Sequence, residues 1–382
     1  MIAQATIPAM QTTLSQTLLG GLSPQTFMRR HWQKKPLLIR QAVPGVAPPL
    51  SRAQLFELTT RDDVESRLIV HDAGRWRLRH GPFKRRSFPS LTRARWTLLV
   101  QGLDLHVAAA HELLARFRFV PDARLDDLMV SYATDGGGVG PHYDSYDVFL
   151  LQVQGRRRWR IGRLDDPALQ PDVPLKILSN FVAEQEWLLE PGDMLYLPPR
   201  WAHDGVAEGD CMTCSIGFRA PDQHRWGAEV LQRMLDAAEM PETQTLYQDP
   251  KQQATATPAC IPDALNSFAV DAMARLLAEP RAAACALGEV LTDLKASVWF
   301  DAGAPLGHHA GVRLDRRTRM MYDRWHLFVN GESFRASGRD ATLMRQLADE
   351  RVLPAAQAAR LSAEALALLD QWAQAGWLHA QA

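Results

Sequence analysis

Short runs of alternating apolar and polar residues fill the chain between about residues 125 and 218. "DLMVSYA", "DVFLLQVQG", "RRWRIG", "EWLLEPGD", "MLYLPP" and "CMTCSIGF" each read as a strand and are punctuated by Gly, Pro and Asp. Closely spaced short strands of this kind predict a β-barrel or sandwich. Upstream, "ESRLIV" and "GRWRLRHG" also read as strands, and "QTFMRRHWQKKPLLIR" as a short basic helix running into an apolar strand after a break at Pro36. "LHVAAAHELLARF" (105–117) sets Leu105, Ala109, Leu113 and Phe117 four apart, which predicts a helix.

The pattern changes near Pro221. "RWGAEVLQRMLDAAEM" places Trp226, Val230 and Met234 on one stripe with Leu231 and Leu235 beside it, an amphipathic helix. "PETQTLYQDPKQQATATPACIP" is polar and proline-punctuated, so it reads as a linker. Helical text resumes from about 263 to 296. "RMMYDRWHLFVNGESFRA" predicts a hairpin turning at Asn330-Gly331, and "SAEALALLDQWAQAGWLHA" a helix followed by a short strand. Helices closed by a hairpin suggest a small winged-helix-like domain.

Composition adds limits. At 382 residues the chain has room for two or three domains, and at 46% hydrophobic it can bury real cores. Lys plus Arg and Asp plus Glu both number 43, so bulk charge neither demands nor excludes nucleic acid. The first residues lack a basic start and a long apolar stretch, so no secretory signal is expected, and no run is long enough for a membrane span. Four cysteines are too few for a disulfide scaffold, which points to a reducing cytoplasm.

"GPHYDSYDVF" carries the candidate chemistry. In a strand, residues two apart share a face, so His142 and Asp144 can present an imidazole and a carboxylate side by side. Such a pair alone is weak evidence. Downstream, "EPGDMLYLPPRWAHDG" gives a tight turn, an apolar strand and then His203 just past it, positioned to come round a barrel to the pair. The bland alternative is a loop histidine on a solvated turn. Two histidines and one carboxylate make the facial set of non-haem Fe(II) oxygenases, with positions left open. Those positions suit a 2-oxo acid that chelates through two oxygens and leaves room for dioxygen. Its distant carboxylate then needs a cation inside the barrel. If Trp159 and Ile161 of "GRRRWRIG" face inward, so does Arg157, a guanidinium able to hold a carboxylate bidentately. Arg156, Arg158 and Arg160 then face out as a solvated basic edge or touch RNA, and the bland alternative puts Arg157 on that edge with them.

These residues resemble a known family. "DDLMVSYATDGGGVGPHYDSYDVFLLQVQGRRRWRIG" with "PGDMLYLPPRWAHDGVAEGDCMTCSIGFRAP" is similar to the JmjC-type 2-oxoglutarate oxygenases. Within them it looks like the bacterial ribosomal oxygenases, which hydroxylate an arginine of large-subunit ribosomal protein sixteen at its β-carbon. The resemblance implies an α+β fold: a double-stranded β-helix (cupin/JmjC) catalytic domain over 1–220, a helical dimerisation segment over 221–298 and a winged-helix-like domain over 299–382. It implies Fe(II) on His142, Asp144 and His203, 2-oxoglutarate held by Arg157, dioxygen as the second cosubstrate, a homodimer, and no sequence-specific DNA reading. A cationic substrate arginine wants an acidic partner. Asp135 is the first candidate, against the alternative that it only starts a turn; Asp147 and Ser215 are further candidates, against structural roles.

Other signals are weaker. Cys211 and Cys214 of "CMTC" fall on opposite faces of a strand, so a shared metal or disulfide is not expected. His308-His309 read as surface, and His106 and His111 are badly spaced for one helix face. "DGGGVG" (135–140) reads as a flexible loop, and no helix or Lys-Ser/Thr follows "GGGVG" to make it a phosphate loop. Two competing readings stay open: the same scaffold acting as a ribosomal-protein histidine hydroxylase or a demethylase, and a cupin-like module that binds metal without turnover.

Overall fold

The computed structural model describes residues 17–237, 245–278, 280–307 and 310–381. The chain divides into two compact units at Ala220/Pro221.

The first unit opens with α1 (Pro24–Arg30), β1 (Leu37–Ile39) and α2 (Arg52–Leu58). Then come β2 (Ser66–Asp72), β3 (Arg75–His80), β4 (Trp96–Val100), α3 (Ala108–Ala115) and β5 (Leu125–Ala133). The remaining strands are β6 (His142–Tyr143), β7 (Val148–Arg163), β8 (Gln185–Leu189), β9 (Met194–Leu197) and β10 (Trp201–Phe218). Helix α3 is shorter than the apolar spacing predicts. Leu103–Leu105 form a separate 3-10 turn, and Phe117 is buried just past the helix end.

All the strand pairs are antiparallel, and the sheet is built around two very long strands. The runs "DVFLLQVQG" and "RRWRIG" are one strand, β7, and "CMTCSIGF" is only the second half of β10. The far half of β7 (157–163) pairs with the first half of β10 and with β8, and β6 adds on beyond β10. The near half of β7 (148–154) pairs with the second half of β10 and with β9, and the order runs on through β5, β4, β2 and β3. The two halves meet at irregularities. Gly155 (φ 62°) and Gly209 (φ 73°) take left-handed backbone, and a Cβ at Gly155 would lie 2.1 Å from the Asp210 carbonyl oxygen. The extra residue there flips the alternation. Val148 and Leu150 face inward before it, and Trp159 and Ile161 after it, in one inner cluster with Leu189, Leu195, Leu197 and Trp201. This is a rolled double sheet with an interior.

The other face of the near half is closed by the N-terminal elements. Phe149, Leu151 and Val153 pack with Cys214, Ile216 and Phe218 against Phe27, Phe117 and Tyr196. Phe27 of α1 is fully buried, its ring 4.9 Å from Tyr196 and 5.4 Å from Phe149. Ser23 caps α1 through Thr26 N, and a capping box at Ser51 starts α2.

The glycine loop 135–140 is fitted rather than flexible. Gly136 N donates to Ala207 O and Ala207 N to Gly137 O, both at 2.9 Å. A Cβ at Gly138 would lie 2.5 Å from Gly205 O. Glycine is needed because backbone passes close to backbone.

The second unit holds α4 (Gln223–Asp236), α5 (Asp263–Leu277), α6 (Pro280–Thr292), β11 (Gly311–Leu314), β12 (Met320–Tyr322), β13 (His326–Val329), β14 (Glu332–Arg335) and α7 (Gly338–Glu350). It ends with β15 (Val352–Leu353), α8 (Ala355–Ala358), α9 (Ala363–Gln374) and β16 (Leu378–Gln381). Two three-stranded sheets, β15-β11-β16 and β12-β13-β14, pack on α7 and α9 around Val329, Leu347, Leu369 and Trp372. The expected hairpin turns at Asn330 (φ 51°) and Gly331 (φ 89°), and β12 extends it to three strands. His308-His309 lie outside the described residues. No helix among the described residues is long and apolar enough to cross a membrane.

Candidate metal centre

The register of β6 on β10 sets His142 opposite His203. Their ring centroids are 4.2 Å apart, and His203 Nε2 is 3.7 Å from Asp144 Oδ2. One ligand atom from each of His142, Asp144 and His203 falls within 4.8 Å of the other two. His203 follows β9, as expected, and stands near the start of β10. Asp144 lies one residue beyond the two-residue β6, where its carbonyl accepts from Arg200 N at 2.8 Å.

Both histidines are held through Nδ1 by a backbone carbonyl. His142 Nδ1 is 2.9 Å from Gly140 O and His203 Nδ1 is 3.0 Å from Trp201 O. A carbonyl only accepts, so each Nδ1 donates and Nε2 is the ring nitrogen left for a ligand. Burial, and then the neighbouring His142, push the His203 imidazole down to about 4, with Asp144 opposing. His203 is therefore neutral at physiological pH, as ligation requires. One carboxylate oxygen and two imidazole nitrogens on one side suit a divalent transition metal with open positions.

Arg157 lies on the same inner face. Its β10 partner is Ala207, while His203 pairs with Ile161. The side chain is 5% exposed and Nη1 donates to Ser131 Oγ at 3.1 Å. Nε and Nη2 are buried with no hydrogen-bond partner among the described residues. A buried guanidinium with two idle donors is costly unless an anion completes it. Between Arg157 and the triad lies Trp159, its ring 5.9 Å from His203 and 5.7 Å from the Arg157 guanidinium. Gly205 opposite has no side chain because a Cβ there would sit 2.6 Å from that ring.

The outward arginines of β7 are paired. Arg158 bonds Glu186 and Glu208, Arg160 bonds Asp204, and Arg156 lies 3.9 Å from Glu208.

The three substrate candidates separate. Ser215 is nearly buried in β10, opposite Met129 and Leu150, on the inner face that Ser131 also shares. Asp135 is exposed at the start of the glycine loop, and its Oδ1 accepts from Gly209 N at 2.8 Å. Asp147 is fully buried; its carboxylate accepts from Tyr196 Oη at 2.6 Å and Gln33 Nε2 at 3.1 Å, with Arg124 at 3.5 Å. It serves the fold on the core side and is not available to a substrate.

Sequence reasoning missed Ser131 and Tyr146. Ser131 was findable as the polar residue at an inward position of "DLMVSYA". Tyr146 is 38% exposed, yet its phenol is pushed up by lost hydration at the hydroxyl and then by Asp144 and Asp127. Cys211 and Cys214 belong to different clusters, and the Cys214 thiol is pushed up to about 12 by burial.

Comparison with known proteins agrees with this geometry. The JmjC domain family matches residues 112–226 and the ROXA-like winged helix family residues 272–379. The ribosomal protein uL16 3-hydroxylase of Escherichia coli is 40% identical over 238 residues, which is 61% of this chain and 61% of that protein. The aligned stretch thus spans about three-fifths of that relative. The X-ray structure of E. coli YcfD superposes with a TM-score of 0.81 at 30% identity, covering 94% of this chain and 98% of that one. The structure of YcfD, described as a ribosomal oxygenase, in complex with cobalt and 2-oxoglutarate gives 0.78 at 30% identity over 94% and 99%. Fold and site together define a JmjC-type β-helix. The chain belongs to the JmjC-domain ribosomal oxygenase family.

Proposed function

We propose that this protein is an Fe(II)- and 2-oxoglutarate-dependent hydroxylase that adds oxygen to the β-carbon of an arginine in large-subunit ribosomal protein sixteen. The observation that carries the reading is a cluster of two histidines and one carboxylate in the same barrel as a buried guanidinium with two idle donors. The relative named for uL16 hydroxylation and the YcfD complex with 2-oxoglutarate support it.

The residues divide the work. His142, Asp144 and His203 would hold the metal and leave part of its surface open. Bound iron, with 2-oxoglutarate and dioxygen, supplies the oxidising power that exchanges a C–H bond for C–OH and releases succinate and CO2. Arg157 and Ser131 hold the far carboxylate, Nε and Nη2 donating to it. Trp159 walls the space between the anchor and the triad and keeps water from it. Ser215 and Asp135 are proposed as polar contacts of the substrate, Asp135 through the oxygen that Gly209 leaves free.

The reading includes a cytoplasmic homodimer built on the helical segment 221–298. Helix α5 supports it: none of its residues is buried, and Val270, Met273, Leu276 and Leu277 are all about half exposed. Incubation of the protein with Fe(II), 2-oxoglutarate and a peptide spanning the arginine loop of ribosomal protein sixteen tests the reading. A gain of one oxygen on arginine is expected. A gain on histidine instead, or loss of a methyl group from lysine, replaces the substrate. No gain with iron bound leaves a binding module.

A further inference from the structure

Strand β7 carries a third idle donor beside the two of Arg157. Nε1 of Trp159 is buried and has no hydrogen-bond partner among the described residues. The residue is 4% exposed. Its cluster neighbours Val148, Leu150, Leu189 and Leu195 offer no side-chain acceptor. A buried N–H without a partner is costly, and a buried indole usually finds one. Phenylalanine would fill most of the same space without that cost, so a tryptophan at this position calls for an acceptor.

The ring is held in one orientation. A Cβ at Gly205 would lie 2.6 Å from Cζ3, 2.7 Å from Cη2 and 2.9 Å from Cε3 of Trp159. The six-membered ring therefore rests on β10. Nε1 belongs to the five-membered ring, across the indole, and is turned away from β10. The ring stands 5.7 Å from the Arg157 guanidinium on one side and 5.9 Å from the His203 ring on the other. A molecule that reaches from the triad to Arg157 runs alongside this indole.

We propose that the Trp159 indole N–H is a positioning donor for 2-oxoglutarate, given to an oxygen of its far carboxylate. The proposal rests on the 2-oxoglutarate reading of the site. Indole N–H donates only, so its partner must be an acceptor. A carboxylate has about four lone-pair sites. Arg157 Nε and Nη2 take two of them, which leaves room for the indole. The extra bond fixes where the far carboxylate sits and adds to the preference for a diacid over a 2-oxo monoacid.

The test uses the full chain with Zn(II) in place of iron, so that binding is read without turnover. The protein is labelled with 15N at its indole nitrogens. The chain has eleven tryptophans, and the indole signal missing from Trp159→Phe belongs to Trp159. Adding 2-oxoglutarate should move that proton signal downfield, as a new bond to a carboxylate does. Adding 2-oxopentanoate, which has a methyl group in place of the far carboxylate, should move it much less. Calorimetry gives the second readout. Trp159→Phe should bind 2-oxoglutarate about tenfold more weakly, the loss of one hydrogen bond to a charged group. It should bind 2-oxopentanoate and Zn(II) as the wild type does.

An equal loss for both acids assigns the effect to packing and overturns the proposal. If Trp159→Phe does not fold, the wild-type spectrum still decides: no indole signal that answers 2-oxoglutarate and ignores 2-oxopentanoate overturns it. When 2-oxoglutarate binding depends on Arg157 but neither the Trp159 signal nor the Trp159→Phe affinity responds, the proposal fails and the 2-oxoglutarate reading stands. A Zn(II)-loaded wild type that does not bind 2-oxoglutarate removes that reading, and the proposal with it.

Discussion

Arg157 donates to Ser131 across the interior at 3.1 Å and keeps two further donors idle in a buried wall. The pair spans three strands, because Ser131 pairs with Thr213 on β10 and Arg157 with Ala207 on the same strand. In the proposed reading this holds Arg157 at one distance from the triad, which would favour a diacid of matching length. Arg157→Ala should raise the Kd of 2-oxoglutarate at least thirtyfold, from about 2 kcal/mol or more for a truncated buried ion contact. Arg157→Lys should recover only part, since it cannot bond in two places. Calorimetry with a redox-inert divalent metal reads both. Equal affinity in all three proteins removes Arg157 from the role.

Gly205 and Trp159 make a second, separable prediction. Gly205→Ala puts a methyl 2.6–2.9 Å from the Trp159 ring, so the indole must move. Overpacking of this kind costs about 1–3 kcal/mol of stability. The variant should stay folded, bind metal as before and bind 2-oxoglutarate more weakly. Unchanged cosubstrate affinity would show that Trp159 is not part of the wall.

Asp135→Ala should weaken peptide binding and leave 2-oxoglutarate affinity intact. Because Asp135 also anchors the turn at Gly209, Asp135→Asn is the control. The amide oxygen can still accept from Gly209 N while the charge is gone. Peptide affinity that falls for both variants assigns the effect to charge; affinity that falls only for alanine assigns it to the turn.

In the second unit, Asp315 gives a pH-dependent prediction. Burial alone would raise it, but bonds from Arg317 and His379 pull the carboxyl down to about 2, against an ordinary 3.8. A folded value below the unfolded one means that the contribution is complete above about pH 4 and is lost as pH falls through about 2. It amounts to about 2 kcal/mol. Urea unfolding of Asp315→Asn and the wild type should differ near neutral pH, and the gap should close at the acid end. A gap that does not change with pH would contradict it.

The readable parts of the chain were those where pattern and chemistry coincide. His142, Asp144 and His203 stand at strand spacing beside apolar runs, and the Asn330-Gly331 turn needs left-handed backbone that the residue types announce. What stayed hidden depends on chain reversals. The Gly155 irregularity looks like a strand end in one dimension, so β7 read as two strands. Gly137 and Gly138 read as slack because their purpose, close approach to Trp96 and Gly205, lies in distant backbone. Asp147 looked like a site residue because it lies near the triad in sequence, yet the strand alternation turns it toward Tyr196 and away from the interior. Helix α3 read too long because Leu105 and Phe117 lie in turns that flank the helix and keep its spacing.

The most direct measurement is succinate formation from 2-oxoglutarate with Fe(II), with and without the arginine-loop peptide, in the wild type and in His142→Ala. The account predicts peptide-stimulated turnover in the wild type and none in the variant, whose triad has lost one of its three ligand atoms. Stimulated turnover that survives the loss of His142, or a wild type that binds iron and forms no succinate, would contradict it.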